Sequence, residues 1–474
     1  MGNHKGLSSW QLAMLALGTV IGRSFFLGSS VAIHAAGPSI LISYILGGIL
    51  VYLILFAFSE MTVANPDSGS FRTFATDAFG PGLGFVVGWV YWTGMVLAMS
   101  SEATAVSILI SRWVPDISVN LLGSIIIIAV TLLNMLGSEK LSKLESALAA
   151  VKLFAIISFI VIALLLITGL IGNKQTGTVG ITDQPFMQGG LMGIAGSMLV
   201  VMFSYAGFEV IGLAASETAE PGKTIPRAIA YTVLFLVGSY IVSVAVLLPL
   251  IPTSEISEEV SPMVAALNRW GIGWAGTAIN IVLISAILST MLAAMFGIGR
   301  MMRSLADEDH APDFLKDKGD IPYKGILFSG SSMLFGLAVG QLLPRVYIFL
   351  ISSGGFALLF TYTVIMATHI RFRKAHGCPP EGNCQMPGYP YTSLIALVSI
   401  ILIILSMPAI PGQGTGLVAG IIMIVFYSIA YLVYKFLNSK KDQHTENDIK
   451  FAQNKAILNV EFSKELDNDD KNIH

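Results

Sequence analysis

The chain has 474 residues, of which 54% are hydrophobic and 12% are charged, about half the charged share that is usual in a soluble domain. Its mean hydropathy is +0.75 and its formal net charge is −2. This composition excludes an ordinary soluble enzyme, a nucleic-acid-binding protein and a disordered chain. Two cysteines also exclude a disulfide scaffold, so a protein that crosses the membrane several times remains.

Twelve membrane spans are predicted from stretches of about 20 apolar residues. Nine of them contain no charged residue, and three contain one internal charge each, at Arg23, Glu102 and Lys152. A turn rich in proline and glycine between Pro408 and Gly416 divides the last apolar stretch into two spans. In chain order the spans are 8–30, 35–59, 83–110, 117–138, 147–170, 184–208, 228–254, 270–299, 325–344, 346–370 and two helices within 385–434.

The distribution of lysine and arginine predicts the orientation of the spans. With the N-terminus inside, 21 of these residues lie on the cytoplasmic side and four on the outer side. Because positive charge accumulates in cytoplasmic loops, we expect both termini in the cytoplasm. Residues 1–437 then form one twelve-helix domain, and the polar segment 438–474 is predicted to be a disordered cytoplasmic tail.

Two spans carry residues that interrupt a helix. Span 1 contains the run from Gly18 to Gly28, and span 6 contains Ser204, Tyr205 and Gly207 within seven residues. Irregular backbone survives at membrane depth only where it lines a cavity or is buried in protein. The two spans lie five apart and so cross in opposite directions, which predicts an inverted repeat of spans 1–5 and 6–10 with a binding site at the midplane. Alternatively, these glycines serve only close helix packing.

The exposed backbone at two such interruptions predicts the chemical class of the ligand. Free N–H groups at the start of a half-helix favour a carboxylate, and free carbonyl groups at the end of another favour an ammonium group. A site with both features suits an amino acid zwitterion.

Five short motifs follow one another along the predicted spans: Gly18-x-x-Ile21-Gly22-x-x-x-Phe26-Leu27-Gly28-Ser29, Glu60-Met61…Pro66…Ser68-Gly69-Ser70-Phe71, Phe203-x-Tyr205-x-Gly207-Phe208-Glu209, Glu217-Thr218-x-x-Pro221-x-Lys223-Thr224-Ile225-Pro226, and Arg300-Met301-Met302-x-x-Leu305-Ala306…Ala311-Pro312. In this order they resemble the signatures of the amino acid–polyamine–organocation permeases, in particular the bacterial amino acid transporter subfamily. The resemblance covers nearly the whole chain except the tail.

This resemblance implies an all-α membrane protein with the fold of the sodium-coupled leucine transporter, a 5+5 inverted repeat plus two extra helices. It also implies uptake of amino acids by alternating access, often coupled to protons. Phe203 matches the aromatic gate over the substrate. The predicted substrate-binding residues stand at the two interruptions: Ile21, Gly22, Arg23 and Ser24 in span 1, and Phe203, Ser204, Tyr205 and Gly207 in span 6.

Lys152 in span 5 is the first candidate for coupling. An ionisable group inside the membrane is a functional hypothesis by default, and burial makes a lysine able to gain and lose a proton. In similar proton-coupled permeases a lysine of this span takes the place of sodium, so the resemblance predicts proton coupling without sodium. The alternative is that Lys152 extends to the cytoplasmic surface.

Three further residues complete the predicted coupling site. Glu102 in span 3 is predicted to bind the substrate ammonium or relay protons, with a structural partner for a buried cation as the alternative. Ser285 and Ser289 stand four apart on span 8 and could complete a cation-like site near Lys152. Serine in a helix also often bonds to its own backbone, which is the alternative for both.

Arg23 departs from the pattern of the family, which usually has a small residue at this position. An arginine beside the interruption could bind a carboxylate with two N–H groups, fill part of the pocket, point away from it or pair with Glu102 or Glu209. If Arg23 and Lys152 both stand near the site, a basic substrate is disfavoured, and the apolar surroundings favour a neutral amino acid.

Two other classes of function compete with a proton symporter. An exchanger would use the same site without proton coupling, and a sensor would bind an amino acid without moving it. An enzyme is not expected, because the chain has no His-Glu-x-x-His motif and Gly222-Lys223-Thr224 lacks the preceding glycine of a phosphate-binding loop. The expected partners are an amino acid, protons and the lipid bilayer of a bacterial plasma membrane, with no metal, cofactor or nucleic acid.

Overall fold

The structure is a computed structural model that describes residues 6–65, 70–111, 113–171, 185–187, 189–214, 217–218, 220–256, 260–319, 321–378, 386–410 and 413–437. The predicted tail 438–474 lies outside the described residues. The chain divides into two compact units, residues 1–423 and residues 424–474, and the helix packing described below is that of the first.

The described residues form helices and no strands. Seventeen α-helices are numbered in chain order: α1 Ser9–Val20, α2 Arg23–Phe26, α3 Gly28–Ala36, α4 Ile40–Ala64, α5 Phe71–Phe79, α6 Pro81–Ser111, α7 Val119–Asn134, α8 Ser138–Ile167, α9 Gly190–Ser204, α10 Val210–Leu213, α11 Pro221–Leu247, α12 Pro262–Arg269, α13 Trp274–Asp307, α14 Tyr323–Leu342, α15 Pro344–His376, α16 Tyr391–Ser406 and α17 Gly414–Leu437. Short 3₁₀ turns occur at Gly37–Ser39, Thr253–Glu255, Asp313–Leu315 and Met407–Ala409.

Nine helical stretches among the described residues are long and apolar enough to cross a membrane. Three shorter apolar helices, α1, α7 and α9, accompany them. The expectation of an all-α membrane protein is therefore confirmed, while the count of twelve spans stays a prediction. Span 5 begins earlier than predicted, because α8 starts at Ser138 and its first turns carry charged residues that the apolar criterion left out.

Local sequence explains where the first span begins and where it is interrupted. Ser8 and Gln11 form a capping box, with Gln11 N donating to Ser8 Oγ over 3.3 Å and Ser8 N donating to Gln11 Oε1 over 2.9 Å. Helix α1 ends at Val20, and the chain turns through Ile21 and Gly22 before α2 begins at Arg23. The interruption predicted for span 1 is confirmed.

The second interruption lies between α9 and α10. Helix α9 ends at Ser204, residues 205–209 form a turn, and α10 begins at Val210. Gly207 has φ +112°, a backbone conformation that residues with a Cβ rarely adopt. The interruption predicted for span 6 is therefore confirmed, at the glycine that permits it.

Packing relates the two interrupted spans as antiparallel partners. Helix α3, the second half of span 1, packs against α9, the first half of span 6. Helix α1, the first half of span 1, packs against α10, the second half of span 6. This crossed pairing means that the two spans run in opposite directions, as an inverted repeat requires.

The first half of span 1 lies among three long helices. Helix α1 packs against α8, α11 and α13, and its residues from Leu12 to Val20 are all buried. Helix α6 packs against α7, α13, α14 and α15. Both interruptions therefore sit inside the helical core, where their backbone groups face protein or an internal cavity instead of lipid.

Candidate functional site

The two interruptions are in direct contact. The hydroxyl of Ser204 at the end of α9 donates to the carbonyl oxygen of Ser24 in α2 over 3.0 Å. On the other side of the turn, a Cβ placed on Gly207 would lie 2.8 Å from Cγ2 of Thr19. Gly207 therefore allows the backbone of span 6 to approach the last turn of α1 closely.

A cavity opens between these segments and α6. Five of the residues predicted from the sequence line it: Gly22, Ser24, Phe203, Gly207 and Glu102. The rest of its wall is mostly apolar and comes from several helices: Thr19, Val20, Met95, Ala98, Met99, Ala206, Thr290 and Leu358. The cavity thus combines interrupted backbone, one acidic side chain and an apolar wall.

The other predicted substrate-binding residues occupy different places. Ile21 is fully buried and does not line the cavity. Tyr205 is also fully buried, and it stacks on Tyr240 and donates to the carbonyl of Tyr44 over 3.1 Å. Ser204 joins the two interruptions to each other. The side chain of Arg23 lies outside the described part of the structure, so its role stays a prediction.

Glu209 holds the turn of span 6 in place. Its Oε2 accepts from the backbone N–H of Gly207 over 3.1 Å and from the hydroxyl of Tyr362 over 3.2 Å. Its Oε1 accepts from the hydroxyl of Tyr91 over 3.1 Å. The carboxylate is fully buried, and its hydrogen bonds connect the interruption to α6 and α15. Sequence reasoning did not find this role, because the two tyrosines come from distant parts of the chain.

Lys152 is buried completely in α8. Its ammonium group donates over 2.5 Å to the carbonyl oxygen of Gly18, which lies three residues before the interruption at Ile21. The side chain does not extend to the surface, which overturns the alternative of a surface-seeking lysine. The buried ammonium group instead bonds to a carbonyl of the last turn of α1.

Glu145 is a residue that sequence reasoning missed. It precedes Lys152 by seven residues, which places both side chains on one face of α8. Its Oε2 accepts from the hydroxyl of Ser289 on α13 over 2.6 Å, and its side chain is fully buried. The sequence signal for Glu145 was its spacing of seven residues from Lys152. It was overlooked because Glu145 lies just before the predicted span 147–170.

The two predicted serines of span 8 differ in their contacts. Ser289 binds Glu145 and so belongs to the buried charged group around Lys152. Ser285 donates to the carbonyl of Val282 on its own helix over 2.8 Å. For Ser285, the structure therefore shows the alternative reading, in which a serine bonds to the backbone of its own helix.

A second set of charges lies at the ends of helices, away from the cavity. Arg300 forms an ion pair with Glu217, and Arg72 forms one with Glu308. Arg72 is fully buried and also donates to Ser304. The hydrogen bonds from this guanidinium hold the pKa of Glu308 below its usual range.

Glu60 near the end of α4 belongs to another buried polar group. Its Oε2 bonds to Nε2 of His369 over 2.8 Å, and its Oε1 accepts from the backbone N–H of Met386 over 2.7 Å. Together these contacts tie α4 and α15 to the segment before α16.

Comparisons with known proteins show which family the chain resembles. The family model described as amino acid permease matches residues 11–454. The amino-acid permease RocC of Bacillus subtilis is 31% identical over 465 residues, covering 94% of this chain and 98% of the relative. A gamma-aminobutyric acid permease of Escherichia coli is 33% identical over 435 residues, covering 89% of this chain and 93% of the relative.

One solved structure carries the fold comparison. A manganese transporter of Eremococcus coleocola matches with a TM-score of 0.56, covering 92% of this chain and 94% of that chain. The sequence identity is 13%, so this likeness shows the fold alone.

Proposed function

Because the chain belongs to the amino acid permease family, we propose that this multi-pass membrane protein takes up a neutral amino acid together with protons by alternating access. Membership of a family of transporters also means that the chain is not an enzyme. Its substrate, its coupling ion and its mechanism are the subject of the proposal.

The observation that carries the proposal is the contact between Lys152 and Gly18. A completely buried ammonium group donates to a carbonyl of α1 beside the interruption that lines the cavity. When Lys152 carries its proton, this charged hydrogen bond holds the last turn of α1 against α8. When Lys152 loses the proton, the bond weakens and the turn is free to move. Protonation is thereby linked to the geometry of the binding site.

The cavity suits a neutral amino acid. We assign the two charged ends of a zwitterion to the interrupted backbone around Gly22 and Gly207, which lines the cavity where the regular helices end. Met95, Met99 and Leu358 supply an apolar wall for its side chain. Glu102 in the same wall binds the substrate ammonium or passes a proton toward Lys152. Phe203 at the end of α9 covers the substrate.

Arg23 has a separate role in the proposal. It is the first residue of α2, directly after the interruption, and we assign its guanidinium to the carboxylate of the substrate. Uptake by Arg23→Gly tests this role. Loss of uptake at low substrate concentration is expected, whereas faster uptake of neutral amino acids would contradict it.

The proposal is tested by uptake into proteoliposomes with an imposed pH gradient and no sodium. All common amino acids are screened together with γ-aminobutyric acid, because relatives of this chain carry that name. Accumulation that depends on the gradient and disappears with a protonophore is expected. Liposomes without protein and proteoliposomes without a gradient are the controls.

Two other results would replace the proposal. Uptake that requires preloaded amino acid and ignores the gradient would identify an exchanger. An absence of flux, with thermal stabilisation by one amino acid, would identify a sensor.

A further inference from the structure

Glu145 occupies the space beside Gly18 that a side chain would otherwise fill. A Cβ placed on Gly18 would lie 2.6 Å from Oε2 of Glu145 and 3.5 Å from Oγ of Ser289. The missing side chain of Gly18 thus lets a fully buried carboxylate pack directly on the last turn of α1. Since a buried charge is costly unless it is compensated, this position requires an explanation.

Lys152 contacts the backbone of the same residue, Gly18. The ammonium group donates to the carbonyl oxygen of Gly18 over 2.5 Å, while Glu145 lies two turns earlier on the same face of α8. The hydroxyl of Ser289 donates to Oε2 of Glu145 over 2.6 Å. Oε1 of Glu145 has no hydrogen-bond partner among the described residues, and the positive charge that acts on this carboxylate is that of Lys152.

We propose that Glu145 is a positioning residue for proton coupling, whose carboxylate stabilises the Lys152 ammonium group at Gly18 and ties α8 to α13 through Ser289. This inference rests on the proposed function, in which Lys152 gains and loses the coupled proton. Glu145 does not line the cavity and acts through Lys152. Its negative charge compensates the ammonium form of Lys152.

The groups that face this pair come from several helices. Helix α6 supplies Glu102, the second acid that acts on Lys152. Helices α1 and α7 contain no titratable side chain, and α13 contributes Ser289. Arg300 at the far end of α13 is paired with Glu217. Among the other charged side chains that the structure describes on these helices, Lys140 and Lys143 on α8 and Lys223 and Arg227 on α11 are exposed. Arg303 on α13 is partly buried and forms an ion pair with Asp307.

Loss of the proton from Lys152 would change this arrangement at Gly18. The neutral amine no longer compensates Glu145, and a buried carboxylate without a cation is strongly disfavoured. The last turn of α1 would then no longer be held from both sides. Glu145 therefore makes the release of α1 depend more sharply on the charge of Lys152 than the single hydrogen bond would.

The test is the pH dependence of initial uptake by Glu145→Gln in sodium-free proteoliposomes, with a radiolabelled mixture of the neutral L-amino acids. Without the carboxylate, the ammonium form of Lys152 loses the charge that compensates it at Gly18. Half-maximal uptake is therefore expected to move by about one pH unit to the acid side. Glu145→Asp keeps the charge and is expected to follow the wild type. The matched control is Glu220→Gln, a substitution at an exposed acid.

The Lys152→Ala background separates positioning from a structural role. Exchange against preloaded amino acid is followed there, and Glu145→Gln is expected to cause no further change in its pH profile. A Glu145→Gln profile that matches the wild type, or a shift that persists without Lys152, would overturn the inference. If Glu145→Gln does not fold, Ser289→Ala decides: a smaller acid shift supports the inference and an unchanged profile overturns it.

The outcome for the proposed function is read separately. Uptake by the wild type that does not depend on pH, or full accumulation by Lys152→Ala, would defeat the proposed function itself. Loss of accumulation in Lys152→Ala with an unchanged profile in Glu145→Gln would defeat only the inference on Glu145.

Discussion

The hydroxyl of Ser204 and the carbonyl of Ser24 join the two interrupted spans across 3.0 Å. Ser204 is the last residue of α9, and Ser24 lies in α2, directly after the interruption of span 1. This hydrogen bond links the two backbone segments that border the cavity, although the same hydroxyl also lies 3.0 Å from the carbonyl oxygen of Val200 on α9. Because it joins residues 180 positions apart, it couples the two halves of the inverted repeat.

Ser204→Ala should therefore weaken substrate binding more than it slows turnover. The substitution removes one side-chain hydrogen bond, which contributes about 1 kcal/mol, or about five-fold in an equilibrium constant. Uptake kinetics should accordingly give a KM about five-fold higher with kcat within two-fold of the wild type. A large fall in kcat at unchanged KM would contradict the account of this contact.

The matched control for Ser204→Ala is Ser239→Ala. The hydroxyl of Ser239 on α11 donates to the carbonyl of Leu236 on its own helix, away from the cavity. Its removal should leave both kinetic parameters unchanged. If both variants raise KM equally, loss of a serine hydroxyl in general, and not the link between the spans, would be the cause.

Gly207→Ala should disrupt the turn of span 6. The backbone at Gly207 has φ +112°, and an added Cβ would lie 2.8 Å from Cγ2 of Thr19. Strain in such a conformation costs about 1–3 kcal/mol, and the contact with Thr19 adds to it. We expect loss of most uptake together with a lower unfolding temperature in detergent.

Gly238→Ala is the glycine control for this prediction. An added Cβ at Gly238, inside α11, meets no atom within 4 Å. Alanine there should stabilise the helix by about 0.5–1 kcal/mol and leave uptake intact. Equal losses in both variants would mean that the close approach at Gly207 has no special role.

The sequence predicts the positions of both interruptions because the cause is local. Glycine at 22 and 207 weakens a helix wherever it stands, and apolar flanking residues place each break inside a span. The same patterns predict which spans pair, since spacing alone gives an inverted repeat. The contacts of Glu209 with Tyr91 and Tyr362 could not be predicted, because helix spacing does not reveal which distant side chains meet.

Two further differences have physical reasons. Ile21 and Tyr205 stand beside cavity-lining residues in the sequence, but successive residues of an unwound segment point to different sides. Glu145 was missed because the search for apolar stretches stops at charged residues, while α8 continues through them. Helix geometry places Glu145 on the same face as Lys152, seven residues away. This relationship becomes visible only if the predicted helix is extended beyond its apolar part.

The ion pair of Arg72 and Glu308 predicts how stability depends on pH. Hydrogen bonds from Arg72, including Nη1 to Oε2 over 2.8 Å, lower the pKa of Glu308 in the folded protein. The contribution of the pair is therefore complete above the ordinary glutamate pKa of about 4.3 and is lost as the pH falls through the lowered value. Thermal unfolding in detergent should report this loss in strong acid.

Glu308→Gln isolates this contribution. The wild type should be more stable than the variant near neutral pH, and the difference should vanish once Glu308 is protonated in the wild type. A difference in unfolding temperature that stays constant from neutral to strongly acid pH would contradict the assignment. Glu220→Gln, at an exposed ion pair on α11, should show little difference at any pH.

The most direct test of the central claim compares Lys152→Ala with the wild type in the same proteoliposomes, with accumulation under an imposed pH gradient and exchange against preloaded amino acid measured in parallel. Lys152 is the buried charge that binds the carbonyl of Gly18 at the end of α1. We predict that the variant retains exchange and loses gradient-driven accumulation. Accumulation by Lys152→Ala equal to that of the wild type would contradict proton coupling through this residue.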